Sequence, residues 1–134
     1  MINMNELYEK SDLNIDAAEK LYNHCLYDSV CHPAYYSCLQ LMSHKLIKKG
    51  VSLSDQASLC STKYFGHSHK CLIEETCKRL KFDKCRDEQD YRNGVKQLKE
   101  KRESSDYKEE RISQEASEAC IKLAKEIRQK LNSI

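Results

Sequence analysis

The sequence predicts an all-α protein, an antiparallel bundle of amphipathic helices, and three observations carry that expectation. Only three glycines (50, 66 and 94) and one proline (33) punctuate 134 residues, too few turn makers for the short turns of a β-sandwich or barrel. Charged residues make up 33% and hydrophobic ones 40%, with no tryptophan, which is the balance of one small soluble globule. Apolar positions recur at three- and four-residue spacing over most of the chain.

Taken in order, the segment 1–11 carries little pattern beyond Leu7 and Tyr8 and reads as a short arm or helix. From Leu13 the positions Leu13, Ala17, Leu21 and Cys25 mark a first core helix ending near Tyr27. Asp28 or Ser29 is the expected cap of a second helix, with Pro33 in its first turn, where a missing N–H costs least. Ala34, Tyr35, Tyr36, Cys38, Leu39, Leu41, Met42, Leu46 and Ile47 cover nearly its whole circumference, the mark of a central, buried helix. Lys48-Lys49-Gly50 is its stop signal. Val51 to His67 reads as a connecting loop with one short turn near Asp55 to Leu59. Ser68 caps a third helix with Cys71, Leu72, Glu75 or Thr76, and Leu80 inward. A fourth helix starts near Asp87 and carries Tyr91, Val95, Leu98 and Arg102 on one stripe. Ser113 caps the last, with Ala116, Cys120, Leu123, Ile127, Leu131 and Ile134 inward. Four substantial helices with mostly short connections make a bundle.

No apolar run approaches the ~20 residues that span a bilayer, and Met1-Ile2-Asn3-Met4-Asn5-Glu6 has no signal-peptide pattern, so the expected location is the cytoplasm, away from membranes. Net charge is only +2, which excludes a strongly basic nucleic-acid footprint. Residues 1–28 nevertheless sum to −4 and residues 29–69 to +3, so any polyanion contact must use a local patch.

Eight cysteines, at 25, 31, 38, 60, 71, 77, 85 and 120, raise the question of a disulfide framework. With no Cys-x-x-Cys, no secretory signal and a chain long enough for a core, free thiols acting as small hydrophobes are favoured. Cys25, Cys38, Cys71 and Cys120 fall on apolar stripes, while Cys31, Cys60, Cys77 and Cys85 sit nearer helix ends, rims or loops. His67, His69, Cys71 and Cys77 are zinc-compatible in type, but their spacing matches no common ligand pattern, and neither a metal nor a cofactor is expected. His24-Cys25 and Cys31-His32 do not place nucleophile and base on one helix face, so core and loop roles are favoured for them.

Arg102 is the informative residue. It lies on the inward stripe where another apolar side chain is expected, so its guanidinium must find an acceptor or a solvent-filled cleft. Asp106 is four residues on, within reach if the helix continues. One reading is an Arg–Asp lock at the helix end with Tyr107 packed under the last helix. The other is the floor of an anion or nucleotide site, since Arg offers a planar fork for phosphate. The residues alone favour the lock.

Three segments carry a family resemblance: Ala34-Tyr35-Tyr36-Ser37-Cys38-Leu39-Gln40-Leu41, Ser68-His69-Lys70, and Leu98 to Tyr107 ahead of Ser113-Gln114-Glu115-Ala116. Together, and in this order, they resemble HEPN domains. The similarity is closest to a branch of small prokaryotic proteins with Ala-Tyr-Tyr and Arg-x-x-Ala-Asp-Tyr-like signatures, and it runs from about Leu13 to Leu131. It implies an up-and-down bundle of four to five helices as a single domain over 1–134, usually homodimeric with a cleft between protomers. Many HEPN proteins are metal-independent RNases of toxin–antitoxin, phage-defence or CRISPR-linked systems, and others pair with a minimal nucleotidyltransferase.

In the RNase branch an Arg binds the scissile phosphate and a His four to six residues later assists proton transfer. Arg102 matches the arginine, but Asp106 stands at the earliest histidine position and no histidine follows His69. An aspartate titrating near ~3.9 is a poor proton donor at neutral pH, where an imidazole near ~6.5 serves both directions. Arg92-Asn93 echoes a pair seen in some nuclease members, yet Lys96 and Gln97 stand where a histidine is wanted, and Gln40 replaces a histidine common in the branch.

The expectation is thus a nucleotide- or RNA-phosphate-binding protein of a prokaryotic defence, toxin–antitoxin or nucleotidyltransferase-associated system, lacking RNase catalysis. Arg102 would hold the phosphate, Asp106 orient it, Tyr107 and Tyr36 line the cleft, and His69 or Lys70 form a second wall. The expected partners are a second copy of the chain, a nucleotide or RNA, and a minimal nucleotidyltransferase or a toxin or antitoxin. One alternative is a divergent metal-independent endoribonuclease with His69 brought to Arg102 from another helix. The other is a non-enzymatic interaction module or antitoxin.

Overall fold

The computed structural model describes residues 5–107 and 111–134. Among these there are six α-helices, one 3-10 turn and no strands: α1 (Glu6–Asn23), the turn Tyr27–Ser29, α2 (Cys31–Lys48), α3 (Leu53–Lys63), α4 (Ser68–Leu80), α5 (Cys85–Tyr107) and α6 (Gln114–Asn132). The all-α expectation holds, with one helix more than the expected four to five.

The centre is α2, which packs against α1, α4, α5 and α6. Its residues Ala34, Tyr35, Cys38, Leu41, Met42 and Leu46 are fully buried, as an apolar circumference requires. Around it, Tyr91, Val95 and Leu98 from α5 and Cys120, Ala124, Ile127 and Leu131 from α6 close one core. Gly50 (φ +89°) ends α2 in the left-handed conformation that glycine adopts without strain. The Ser113 hydroxyl caps α6 by accepting from the Ala116 N–H.

Several local expectations are corrected. The first helix starts at Glu6, so 6–11 form its opening turns rather than an arm. Its buried positions are Ser11, Ile15 and Ala18, while Leu13 is exposed. That rotation is fixed by polar contacts: Ser11 donates to the Ser37 carbonyl at 2.6 Å and accepts from Arg128 Nε at 3.1 Å, and Arg128 also pairs with Asp12. Val30, not Asp28 or Ser29, precedes α2, because the Asp28 carboxylate is engaged by the Ile112 N–H and Arg111. The stretch Val51 to His67 is mostly helix rather than loop. Ser52 and Asp55 form a reciprocal capping box at the start of α3. Ser68 is the first residue of α4, with His67 at the cap position, rather than the cap.

The cysteines are corrected as well. Cys31 and Cys120 are both fully buried and joined in a disulfide, with their Cα atoms 5.6 Å apart, tying the first turn of α2 to α6. Cys25 is exposed and Cys77 buried, the reverse of their expected places, whereas Cys38 and Cys71 are buried as expected. Burial pushes the Cys38 and Cys77 thiols up to about 12, which leaves them inert.

On α5, Gly94 faces α6, and a Cβ there would lie 3.5 Å from Ile127 Cγ1, an ordinary contact. Gly94→Ala is therefore expected to stabilise the protein by ~0.5–1 kcal/mol through helix propensity. Urea titration checks this, and a loss of stability would show that the α5–α6 approach is tighter than it looks.

Candidate functional site

Arg102 occupies the last turns of α5, on the same stripe as Tyr91, Val95 and Leu98, and that stripe carries its side chain inward. It is 7% exposed. Its guanidinium carbon lies 5.3, 5.8 and 5.7 Å from the ring centres of Tyr35, Tyr36 and Tyr107, a cage of three aromatic faces that stabilises a cation. Nη1 stands 3.6 Å from Asp106 Oδ2 and donates to the Tyr107 hydroxyl at 3.4 Å. Nε is buried without a hydrogen-bond acceptor among the described residues. Burial works against the cation, but the tyrosines, Tyr36 foremost, outweigh it and its pKa is raised.

The expected lock is therefore present as an ion pair, but the carboxylate is shared. Asp106 Oδ2 also accepts from His32 Nδ1 at 2.9 Å. His32 lies in the first turn of α2, and its ring rests on Tyr36 with centres 4.6 Å apart. His69 from the first turn of α4 contacts the Tyr35 hydroxyl through Nδ1 at 3.1 Å, and its ring stands edge-on to Tyr35 and Tyr36. Burial first, then the positive charges of Arg102 and Lys99, depress the His69 pKa and favour the neutral imidazole.

Of the residues expected in the site, Arg102, Asp106, Tyr107, Tyr36 and His69 converge. Tyr107 does not pack under α6; it is 76% exposed, with its ring over the guanidinium and its hydroxyl accepting from Nη1. Lys70 stands apart from the tyrosine cage, in a groove of about 410 Å³ lined by Gly66, His67, Ser68, His69, Lys70 and Lys99. Arg92 is held by Glu74 in a two-pronged pair at 2.6 and 3.1 Å, and Gln40 accepts from Asn14. Sequence reasoning missed His32 and Tyr35. Tyr35 stood in the Ala34-Tyr35-Tyr36 segment without a role assigned to it, and the signal that joins it to His32 is that 32, 35 and 36 share one face of α2 at spacings of three and four.

Chemically the cluster offers a desolvated cation, a carboxylate that orients it, and two imidazoles whose Nδ1 atoms are already engaged. That set can hold a phosphate and exchange protons beside it. Among the described residues no group of three or more His, Cys, Asp or Glu side chains is placed to hold a metal ion. No helix among them is long and apolar enough to cross a membrane.

Over residues 4–134 the chain matches the family model for the HEPN domain. Comparison with curated proteins finds no match.

Proposed function

Because the chain belongs to the HEPN domain family, we propose that Arg102 and its tyrosine cage bind a phosphate of a nucleotide or RNA. The observation that supports this most is the buried Arg102, whose Nε is unpaired and whose Nη1 has only a 3.4 Å hydrogen bond to the Tyr107 hydroxyl and a 3.6 Å contact to Asp106. A purely structural arginine so deeply placed would be fully hydrogen-bonded. The protein serves a prokaryotic defence, toxin–antitoxin or nucleotidyltransferase-associated system, as a homodimer, and binds rather than cleaves, since α5 carries no histidine after Arg102.

Titrating a fluorescent mononucleotide and a short labelled single-stranded RNA into wild type and Arg102→Ala tests the site. The expected loss is roughly ten- to hundredfold in affinity, the range for a hydrogen-bonded charge. Wild-type binding is expected to weaken with salt as phosphate contacts release counterions. Equal binding by both proteins overturns the assignment. A lower thermal midpoint for Arg102→Ala with no ligand bound by either protein supports instead an interaction module.

A second reading, a metal-independent endoribonuclease, is favoured by one observation: His32, His69 and Arg102 all lie against the same ring, that of Tyr36. Neutral His69 would take the proton of an attacking 2′-hydroxyl. Arg102 would offset charge on the phosphorane, and His32, supported by Asp106, would protonate the leaving 5′-oxygen. Cleavage in excess chelator that is lost in both His32→Ala and His69→Ala supports it. No cleavage by clean protein, or cleavage that survives either substitution, rejects it.

A further inference from the structure

We propose that the groove beside His69 is a second nucleotide subsite, so that the ligand is a single-stranded oligonucleotide rather than a mononucleotide; this rests on Arg102 as the first phosphate site. The groove is lined by Lys70, Lys99, His67 and His69 and by no carboxylate. It is continuous with the tyrosine cage in two ways. His69 lines the groove and also contacts Tyr35 and Tyr36. Lys99 precedes Arg102 by three residues on α5, which sets their Cβ atoms ~5–6 Å apart on one helix face. Two cations at adjoining positions of one helix face can contact neighbouring phosphates of one strand, where a mononucleotide occupies only the first.

Phe65 adds what a phosphate site alone does not need. It is 87% exposed, the most exposed large hydrophobic side chain described, and directly precedes Gly66 at the groove rim. Its backbone is held at φ +53°, followed by Gly66 at φ +86°, a turn that closes with the Gly66 N–H donating to the Cys60 carbonyl at 2.9 Å. An aromatic face presented to solvent beside a cationic groove is how proteins hold single strands, a base stacking while its phosphate lies on lysine. The stacking is tolerant of base identity, so the groove selects a single strand and not a sequence.

The test compares a labelled mononucleotide with a short labelled oligouridine RNA on wild type, Lys99→Ala, Phe65→Ala, Phe65→Tyr and Arg102→Ala. The RNA is expected to bind wild type at least roughly tenfold more tightly than the mononucleotide, because the second subsite adds a stacked base and a phosphate contact. Phe65→Ala and Lys99→Ala should each remove most of that advantage while leaving mononucleotide affinity unchanged, and Phe65→Tyr should retain it. The slope of log affinity against log salt for the RNA should fall by about one for Lys99→Ala. If RNA and mononucleotide bind equally and both are lost in Arg102→Ala, the second subsite is overturned while the Arg102 site stands. If neither probe binds wild type, both fail together. Circular dichroism of each variant separates these results from loss of fold.

Discussion

Reducing the Cys31–Cys120 bond is expected to lower stability by about 4–5 kcal/mol. The bond closes a loop of 89 residues of sequence separation, and the entropy it removes from the unfolded chain grows with the logarithm of that length. Nothing local replaces it, since the first turn of α2 has no side-chain cap. Urea titration with and without dithiothreitol measures the effect, and Cys31→Ala/Cys120→Ala should reproduce the reduced curve without reductant. Identical midpoints with and without reductant would show that the two sulfurs contribute only as packed thiols. His32 follows Cys31 directly, so the same comparison should register at the site: loosening this turn weakens the 2.9 Å contact between His32 and Asp106.

The elements legible in the sequence are those whose burial is apolar. Helices α2, α5 and α6 were readable because Ala34 to Met42, Tyr91 to Leu98 and Cys120 to Leu131 put hydrophobic side chains at helical period into one core. Helix α3 was not, because its one buried residue is Gln56. That side chain accepts from Ser43 Oγ at 2.6 Å and donates to the Ser43 and Val51 carbonyls, so the helix is docked by hydrogen bonds that leave no hydrophobic stripe. Its end was equally obscure, since Phe65, like Cys25 after α1 and Lys81 after α4, takes the left-handed conformation without being glycine. The phase of α1 failed for a related reason. Ser11 turns inward to bond the Ser37 carbonyl, and Leu13 is left outside.

The residues' own pattern made the candidate site legible along one helix, while Tyr36 and His69 entered through the family resemblance. Arg102 announced itself by breaking an apolar stripe, and Asp106 and Tyr107 followed from helical reach, because all three lie on α5. His32 did not, because its partner Asp106 is 74 residues away and the contact exists only once α2 and α5 pack. The disulfide was hidden in the same way. Nothing near Cys31 or Cys120 in sequence signals the other, and the even count of cysteines pointed to no pairing.

Replacing Glu75 with leucine is expected to cost about 1–3 kcal/mol, the range for leaving a buried donor unsatisfied, since the cations paired with it stay half exposed and hydrated. Glu75 is 2% exposed, yet it is surrounded: Tyr64 donates to Oε2 at 2.5 Å, Arg79 Nε donates to Oε1 at 2.9 Å, and Lys63 and Lys78 stand 3.6 and 3.8 Å from Oε2. With the carboxylate gone, the buried Tyr64 hydroxyl loses its acceptor and three cations on α3 and α4 repel one another. This polar cluster, rather than an apolar one, joins α3 to α4, so the loss should concentrate there and in the adjoining groove. Burial would raise the Glu75 pKa, but the hydrogen bonds from Tyr64 and Arg79 and the charges of Lys63 and Arg79 outweigh it and hold the carboxyl below its ordinary value. A depressed folded-state pKa contributes stability that is complete above the unfolded value of ~4.3 and is lost as pH falls through the folded one. Wild type should therefore lose stability below about pH 4.3 faster than Glu75→Gln, which keeps an acceptor for Tyr64 but cannot titrate. Parallel acid-unfolding curves for the two proteins would place the acid-sensitive groups elsewhere.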